Sequence, residues 1–220
     1  LETVPKILST IDSNRPVLLV DADEVLLRFV ESLEFYFPTQ GFELRLTSFQ
    51  LTGNIYHVKT GLIAKPHLTR TLIADFFEAC VDKVPAVDGA AEALAALSQY
   101  FQIIILSNVP SNCRLRRAKS LASMGMDYPI IANKGDKGPV AKTFAEATSA
   151  ITVFIDDLPP QHTSVRLNCP ASHRVHFVAD PRLAKMIAKA PDANVRYDNW
   201  HELTPYLINL IGPQAGSSFI

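Results

Sequence analysis

Three short apolar runs in this chain end in side chains that can do chemistry. Pro16 to Val20 runs into Asp21, with Asp23 two positions on; Gln102 to Leu106 runs into Ser107 and Asn108; Ile151 to Ile155 runs into Asp156 and Asp157. Runs of this length without alternation read as strands buried on both faces of a parallel sheet. Side chains just past the C-terminal ends of such strands share one crevice. One strand ending in Asp is ordinary, because Asp is a good turn residue. Three strands that deliver two acid pairs and a hydroxyl to one edge are not. Carboxylates crowded together resist ionising, and a divalent cation removes that conflict. An all-oxygen donor set favours Mg²⁺, which keeps waters and bridges phosphate. There one carboxylate can attack phosphorus to form an acyl phosphate. A second, two residues on, can protonate the leaving group and then activate water. Ser107 and the neighbouring N–H groups can hold phosphate oxygens, and a lysine at a helix start can stabilise the transferring group.

Two lysines compete for that last role. Asn133-Lys134-Gly135-Asp136-Lys137-Gly138-Pro139 contains both. Lys137 is preferred because it directly precedes a Gly-Pro helix start, and one helix, one turn and one strand fit between it and Asp156. Lys134 stays open.

The elements that position these residues alternate from residue 85 onward. Tyr128 to Ala132, Arg174 to Val178 and Asn194 to Tyr197 are weaker strand candidates. Helical patterns lie between them: Gly89 to Tyr100 with Asp88 as N-cap, Asn112 to Met124 ending at Gly125, Pro139 to Ser149, Pro181 to Lys189 and His201 to Ile211. That alternation predicts a doubly wound α/β fold with a parallel sheet. Residues 27–84 break the rhythm. They read as a helix over Leu26 to Phe37, a short middle piece and a helix over Leu68 to Val81, an inserted helical subdomain. The tail from Gly212 to Ile220 is expected to fray.

The ordered set resembles the haloacid dehalogenase (HAD) superfamily. The first motif of that family, an apolar strand followed by DxDx[T/V][L/V], reads here Asp21-Ala22-Asp23-Glu24-Val25-Leu26 after Val17 to Val20. The second, a strand ending in Ser or Thr, reads Ile104-Ile105-Leu106-Ser107-Asn108. The third is the lysine, and the fourth is Val153-Phe154-Ile155-Asp156-Asp157. The resemblance implies a HAD-like, Rossmann-like core over residues 1–26 and 85–220, with a cap over 27–84 closing on the site. It implies hydrolysis of a small-molecule phosphomonoester, with Mg²⁺ and an aspartyl-phosphate on Asp21. Asp23 would be the general acid and base, with its backbone carbonyl on the metal. Ser107, Asn108 and Lys137 would bind the transferring phosphoryl group. Asp156 would be a metal ligand, and Asp157 would ligate the metal or orient its waters. The long interval from Asp23 to Ser107 and the short one from Ser107 to Lys137 match members whose cap lies after the first strand, which act on small molecules.

Two departures from the pattern carry weight. Family phosphatases often have glycine where this chain has Glu24, an acid that either repels phosphate or faces away to cap the next helix. The dehalogenating branch usually lacks an acid at the position of Asp23, which disfavours dehalogenation here. A HAD-like binding or regulatory protein without turnover is the alternative reading. A phosphorelay receiver domain has its residues in a different order. A phosphonate hydrolase or phosphomutase lacks an identifiable Schiff-base lysine here, although Lys59 and Lys65 are in the insert.

Composition sets the remaining bounds. The 220-residue chain is 48% hydrophobic with a formal net charge of -1, so no strong field draws it to nucleic acid or an anionic membrane. Arg114, Arg116 and Arg117 read as the solvated face of a helix. Cys80, Cys113 and Cys169 are too far apart for a CxxC site, which fits a reducing compartment. Neither a signal-peptide pattern nor an apolar run long enough for a membrane span occurs, and the expectation is a cytoplasmic protein. Among insert residues, Arg45, Tyr56, His57, Lys59, Lys65, His67 and Arg70 are candidates for reading the substrate, although most such side chains are solvated. Phe35, Phe37, Phe76 and Phe77 read as insert core. His162, His173 and His176 follow the acid pair, with His162 read as a helix-start residue.

Overall fold

The apolar runs form the centre of a six-stranded parallel sheet. The structure, a computed structural model, describes residues 3–212. In chain order its elements are α1 (Thr3–Leu8), β1 (Val17–Val20), α2 (Phe29–Tyr36), a 3-10 turn (Phe37–Gln40), β2 (Phe42–Leu44), β3 (Ile55–His57) and α3 (Pro66–Cys80). There follow α4 (Ala90–Leu97), β4 (Gln102–Ser107), α5 (Arg114–Ser123), β5 (Ile130–Ala132), α6 (Gly138–Glu146), β6 (Thr152–Asp156), α7 (Pro159–Asn168), β7 (His173–Phe177), α8 (Pro181–Ala184), β8 (Val195–Tyr197) and α9 (Trp200–Leu210).

The sheet order is β5-β4-β1-β6-β7-β8. β1 is central, and the chain leaves it toward one side through β4 and returns to the other through β6. Such a switch point opens a crevice at the carboxyl ends of the strands. Period-two burial divides the strand residues between two layers. Leu18, Val20, Ile105 and Ile155 pack toward Leu94 and Leu97 of α4 and Trp200 and Leu203 of α9. Val17, Leu19, Ile104 and Phe154 pack toward Ala141 and Phe144 of α6 and Val165 of α7. Both faces are covered, which is why the strands read as continuous apolar runs.

Residues 27–84 are less helical than expected. α2 and α3 are the anticipated helices, but between them β2 and β3 pair antiparallel, with Phe42 opposite His57 and Leu44 opposite Ile55. Strands this short leave no readable alternation. The two chain crossings run side by side: Arg28 N–H donates to Pro85 C=O and Val87 N–H to Leu26 C=O, both at 2.9 Å. Arg28 fastens the pair, with Nη2 2.5 Å from Asp88 Oδ1 and Nε 3.1 Å from Ala86 C=O.

Three other expectations change. Asp88 does not cap α4; it holds Arg28, and the cap position belongs to Gly89 at φ 76°. α8 stops at Ala184, well before Lys189, because the Arg196 guanidinium takes the carbonyl oxygens of Ala184 and Ile187. α1 was not expected, and of α7 only a start near His162 was. Pro159 and Pro160 open α7, where a missing N–H leaves nothing unpaired. No helix among the described residues is long and apolar enough to cross a membrane. Of the expected frayed tail, residues 213–220 lie outside the described residues.

Candidate active site

The ladder between β1 and β6 continues one residue beyond β1: Asp21 N–H donates to Ile155 C=O at 2.9 Å. This fixes Asp21 at the sheet edge beside the end of β6, where Asp156 and Asp157 follow. The chain then turns sharply, with Leu26 N–H and Leu27 N–H both donating to Ala22 C=O. That turn places Asp23 over the same edge and gives Glu24 a φ of 63°.

Lys137 joins the two strands chemically. It occupies the N-cap position of α6. Its ammonium lies 2.7 Å from Asp21 Oδ1 and 2.6 Å from Asp156 Oδ2. Lys134, by contrast, lies exposed in the preceding loop. α7 positions Lys137 from behind: Gln161 Oε1 accepts from Lys137 N–H at 2.8 Å and Ser164 Oγ from Gly138 N–H at 3.0 Å. These bonds satisfy donors that a helix start otherwise leaves orphaned. A Cβ on Gly138 would sit 2.3 Å from Ser164 C=O, so glycine is required for this approach.

Oxygen atoms of Asp21, Asp156 and Asp157 lie within 4.8 Å of one another. Burial raises the Asp21 pKa to about 6, opposed by Lys137 and reinforced by Asp156. Burial, then Asp156 and Asp21, raise Asp157 well above the usual carboxylate range. For Lys137, burial works against the charged form, but Asp156 and Asp21 outweigh it and raise its pKa. Asp21 Oδ1 touches the ammonium without accepting a directed hydrogen bond. A buried, all-oxygen cluster of three carboxylates with a single ammonium to balance it fits a hard divalent cation.

Ser107 is fully buried at the end of β4, and its Oγ accepts Val109 N–H at 3.2 Å. It does not line the cavity above Asp21, whereas the exposed Asn108 does. Asn108 also bonds Gly135 C=O and the Asn133 side chain, tying β4 to the loop before Lys137.

Arg117 corrects the solvated-face reading of the arginine cluster. Its side chain is fully buried, and Nη2 lies 2.8 Å from Asp23 Oδ1. Burial raises the pKa of Asp23 and Arg117 opposes the rise. Arg116 turns outward to Asp82 at 2.7 Å. The signal was available: Cys113, Arg117 and Leu121 are spaced i, i+4, i+8, one inward stripe of α5.

Two buried histidines support the acid pair from below. His162 Nε2 is 2.9 Å from Asp156 C=O and His176 Nε2 2.8 Å from Asp157 C=O. His176 Nδ1 accepts Ala190 N–H, so its Nε2 carries the proton. Burial pushes both rings down to about 4. His162 lies in the first turn of α7, as expected from the sequence, and donates to a carbonyl there. His173 bonds Tyr206, away from the site.

A cavity of about 720 Å³ lies over Asp21, Asp23, Asp157 and Lys137. None of the seven candidate substrate readers in the insert lines it, while Phe77 does. Phe37 and Phe76 are insert core as expected, and Phe35 is 75% exposed.

No family model and no curated protein matches this sequence. Solved structures do. A HAD family hydrolase from Deinococcus radiodurans R1, with bound phosphate and sodium, is 18% identical over 89% of this chain and 96% of its own, with a TM-score of 0.58. YfnB from Bacillus subtilis, described as a HAD-hydrolase and solved bound to magnesium, is 16% identical over 90% and 100%, with a TM-score of 0.58. The L-2-haloacid dehalogenase PA0810 is 12% identical over 88% and 100%, with a TM-score of 0.57. The chain has the fold of HAD hydrolases.

Proposed function

We propose that this protein hydrolyses a small phosphomonoester with Mg²⁺, through a phosphorylated Asp21. The observation that carries the reading is Lys137, whose one ammonium reaches carboxylates at the ends of two adjacent strands, with Asp157 beside them. The phosphate in the Deinococcus structure and the magnesium in YfnB are of the kind this site would accept.

Asp21, Asp156, Asp157 and the Asp23 carbonyl would hold Mg²⁺, which would neutralise the crowded carboxylates and offset charge on the phosphoryl oxygens. Asp21, ionised above about pH 6, attacks phosphorus as the ester P–O bond breaks. The departing oxygen takes a proton from Asp23, whose raised pKa suits an acid. Arg117 anchors Asp23 through Oδ1, and Oδ2 has no protein partner among the described residues. Asp23 then removes a proton from water, whose oxygen attacks phosphorus. The Asp21–phosphorus bond breaks and inorganic phosphate leaves. Lys137 stabilises the phosphoryl charge throughout, and Asn108 is placed at the cavity to bind a phosphoryl oxygen. Residues 27–84 act as the cap that excludes water.

One observation favours a second reading. Glu24 is buried near Asp23 and Asp157, with its pKa raised by burial to about 7. An acid there opposes the approach of a phosphoryl group, which suits a HAD-like regulatory protein without turnover. The deciding assay measures phosphate release from a panel of phosphomonoesters, with Mg²⁺ or chelator, beside Asp21→Asn. Release that needs the metal and disappears in the variant is the expected result. A folded protein that binds phosphate but releases none from any ester sinks the enzyme reading, and halide release from 2-haloacids would redirect it to the chemistry named for PA0810.

A further inference from the structure

The floor of the cavity is charged, but its walls are not. On the insert side stand Phe29, Phe77, Phe49 and Leu51. Phe29 and Phe77 are stacked, with ring centroids 5.5 Å apart and 27° between planes, which makes a fixed aromatic surface. Phe49 and Leu51 sit on the irregular loop between β2 and β3. One buried side chain fixes that loop. Asn54 accepts from the Thr47 N–H at 3.1 Å and hydroxyl at 2.7 Å, and donates to the carbonyls of Ser48 at 2.7 Å and Gln50 at 2.8 Å. A loop with every amide atom of its central Asn engaged presents these two side chains in one place. On the core side Leu158, Leu183 and Ile187 close the cavity.

Cations are scarce on these walls. Among the described residues Lys137 is the one lysine or arginine that lines the cavity, and it is already held by Asp21 and Asp156. Arg45, at the start of that loop, pairs with Glu43 and lies over the Tyr56 ring. A leaving group with its own carboxylate or second phosphate would bury that charge against phenylalanine and leucine, with no partner. A polyol would leave most of its hydroxyls unpaired, because above the acidic floor only Gln50, Thr52 and Asn108 are polar among the described residues.

We infer that the leaving group is a neutral, apolar alcohol of ring or branched-chain shape, presented as its monophosphate. The inference rests on the phosphohydrolase reading, with the same P–O bond broken and the alcohol and inorganic phosphate as products. A cavity of about 720 Å³ has room for such a group.

Cyclohexylmethyl phosphate and glycerol 3-phosphate are both esters of primary alcohols, so their ratio of kcat/KM reads the walls more than leaving-group reactivity. The cyclohexylmethyl ester is expected to win by at least about 10-fold. Leu51→Lys should narrow the ratio through KM, and Ile187→Lys on the opposite wall serves if the first variant fails to fold. Calorimetry on Asp21→Asn with Mg²⁺ gives a readout without turnover: 2-cyclohexylethylphosphonate should bind at least about 10-fold tighter than 3,4-dihydroxybutylphosphonate. Preference for glycerol 3-phosphate, or equal binding of the two phosphonates, overturns the inference and leaves the phosphohydrolase standing. Wild type no better than Asp21→Asn on either ester, with no metal dependence, removes the phosphohydrolase reading itself.

Discussion

Glu24 occupies a backbone conformation that suits glycine. Its φ of 63° makes it the one non-glycine residue with positive φ among the described residues, a strain of about 1 kcal/mol. Its carboxylate accepts Val30 N–H at 2.9 Å, satisfying one orphan donor at the start of α2. So the side chain does cap the following helix, one of the two outcomes its sequence position left open. Glu24→Gly relieves the strain and loses a bond of about 1 kcal/mol, so unfolding free energy should stay within about 1 kcal/mol of wild type. Removing the buried acid near Asp23 and Asp157 should raise kcat/KM for phosphate release several-fold; a fall would show that the carboxylate serves the reaction. The histidines beneath the acid pair give a pH-dependent prediction. Each ring titrates near 4 when folded and near 6.5 when unfolded. The unfolded chain therefore takes up protons first, and stability that is complete above pH 6.5 is lost as the pH falls toward 4. Each ring removes about 2 kcal/mol between about pH 7.5 and about pH 5. Urea unfolding in chelator should show His162→Phe losing about 2 kcal/mol less than wild type over that interval. Equal losses would mean that His162 does not titrate as a buried neutral ring.

At the scale of elements, the site depends on how closely α6 approaches α7. The Gly138-Pro139 start was legible, and the lysine it singled out, Lys137, is the one that lies against Asp21 and Asp156. The reason glycine stands there was not, because it is a tertiary contact with Ser164. Gly138→Ala brings a Cβ to 2.3 Å from a backbone oxygen that no rotamer change can move. The helices must separate, at about 3 kcal/mol of stability. Because Lys137 is anchored through Gln161 in the same contact, activity should fall by more than the unfolded fraction accounts for. Denaturation and single-turnover phosphate release on the folded fraction would check both. A variant as stable as wild type would show that the two helices can slide apart freely. Of α7 the sequence marked only a start near His162, just past the prolines that open it.

Across the whole molecule, the parallel core was readable because strands covered on both faces need unbroken apolar runs, and three of them carry the chemistry at their ends. What the sequence concealed is assembled from distant segments. Arg117 reaches Asp23 across the fold, and the apolar walls over the site combine α2, α3, a loop of the insert and the connections after β6 and β7. The same convergence concentrates negative charge. Asp21, Asp156 and Asp157 come from two strands to within 4.8 Å, and the unfolded chain has no such cluster. A cation held there binds the folded state alone, and at a hundred times its dissociation constant it stabilises by about 2.7 kcal/mol. For a chain of this length that raises the melting temperature by about 5–10 °C. Wild type titrated with MgCl₂ should show this rise, while NaCl at matched ionic strength should not. Asp156→Asn removes a carboxylate from the cluster but keeps the size of the side chain, so it should melt with little Mg²⁺ response. An equal rise in that variant would place the cation elsewhere on the surface. No rise in either protein would leave Lys137 alone to balance the three acids, and the site would then be a phosphoryl-binding pocket without a metal.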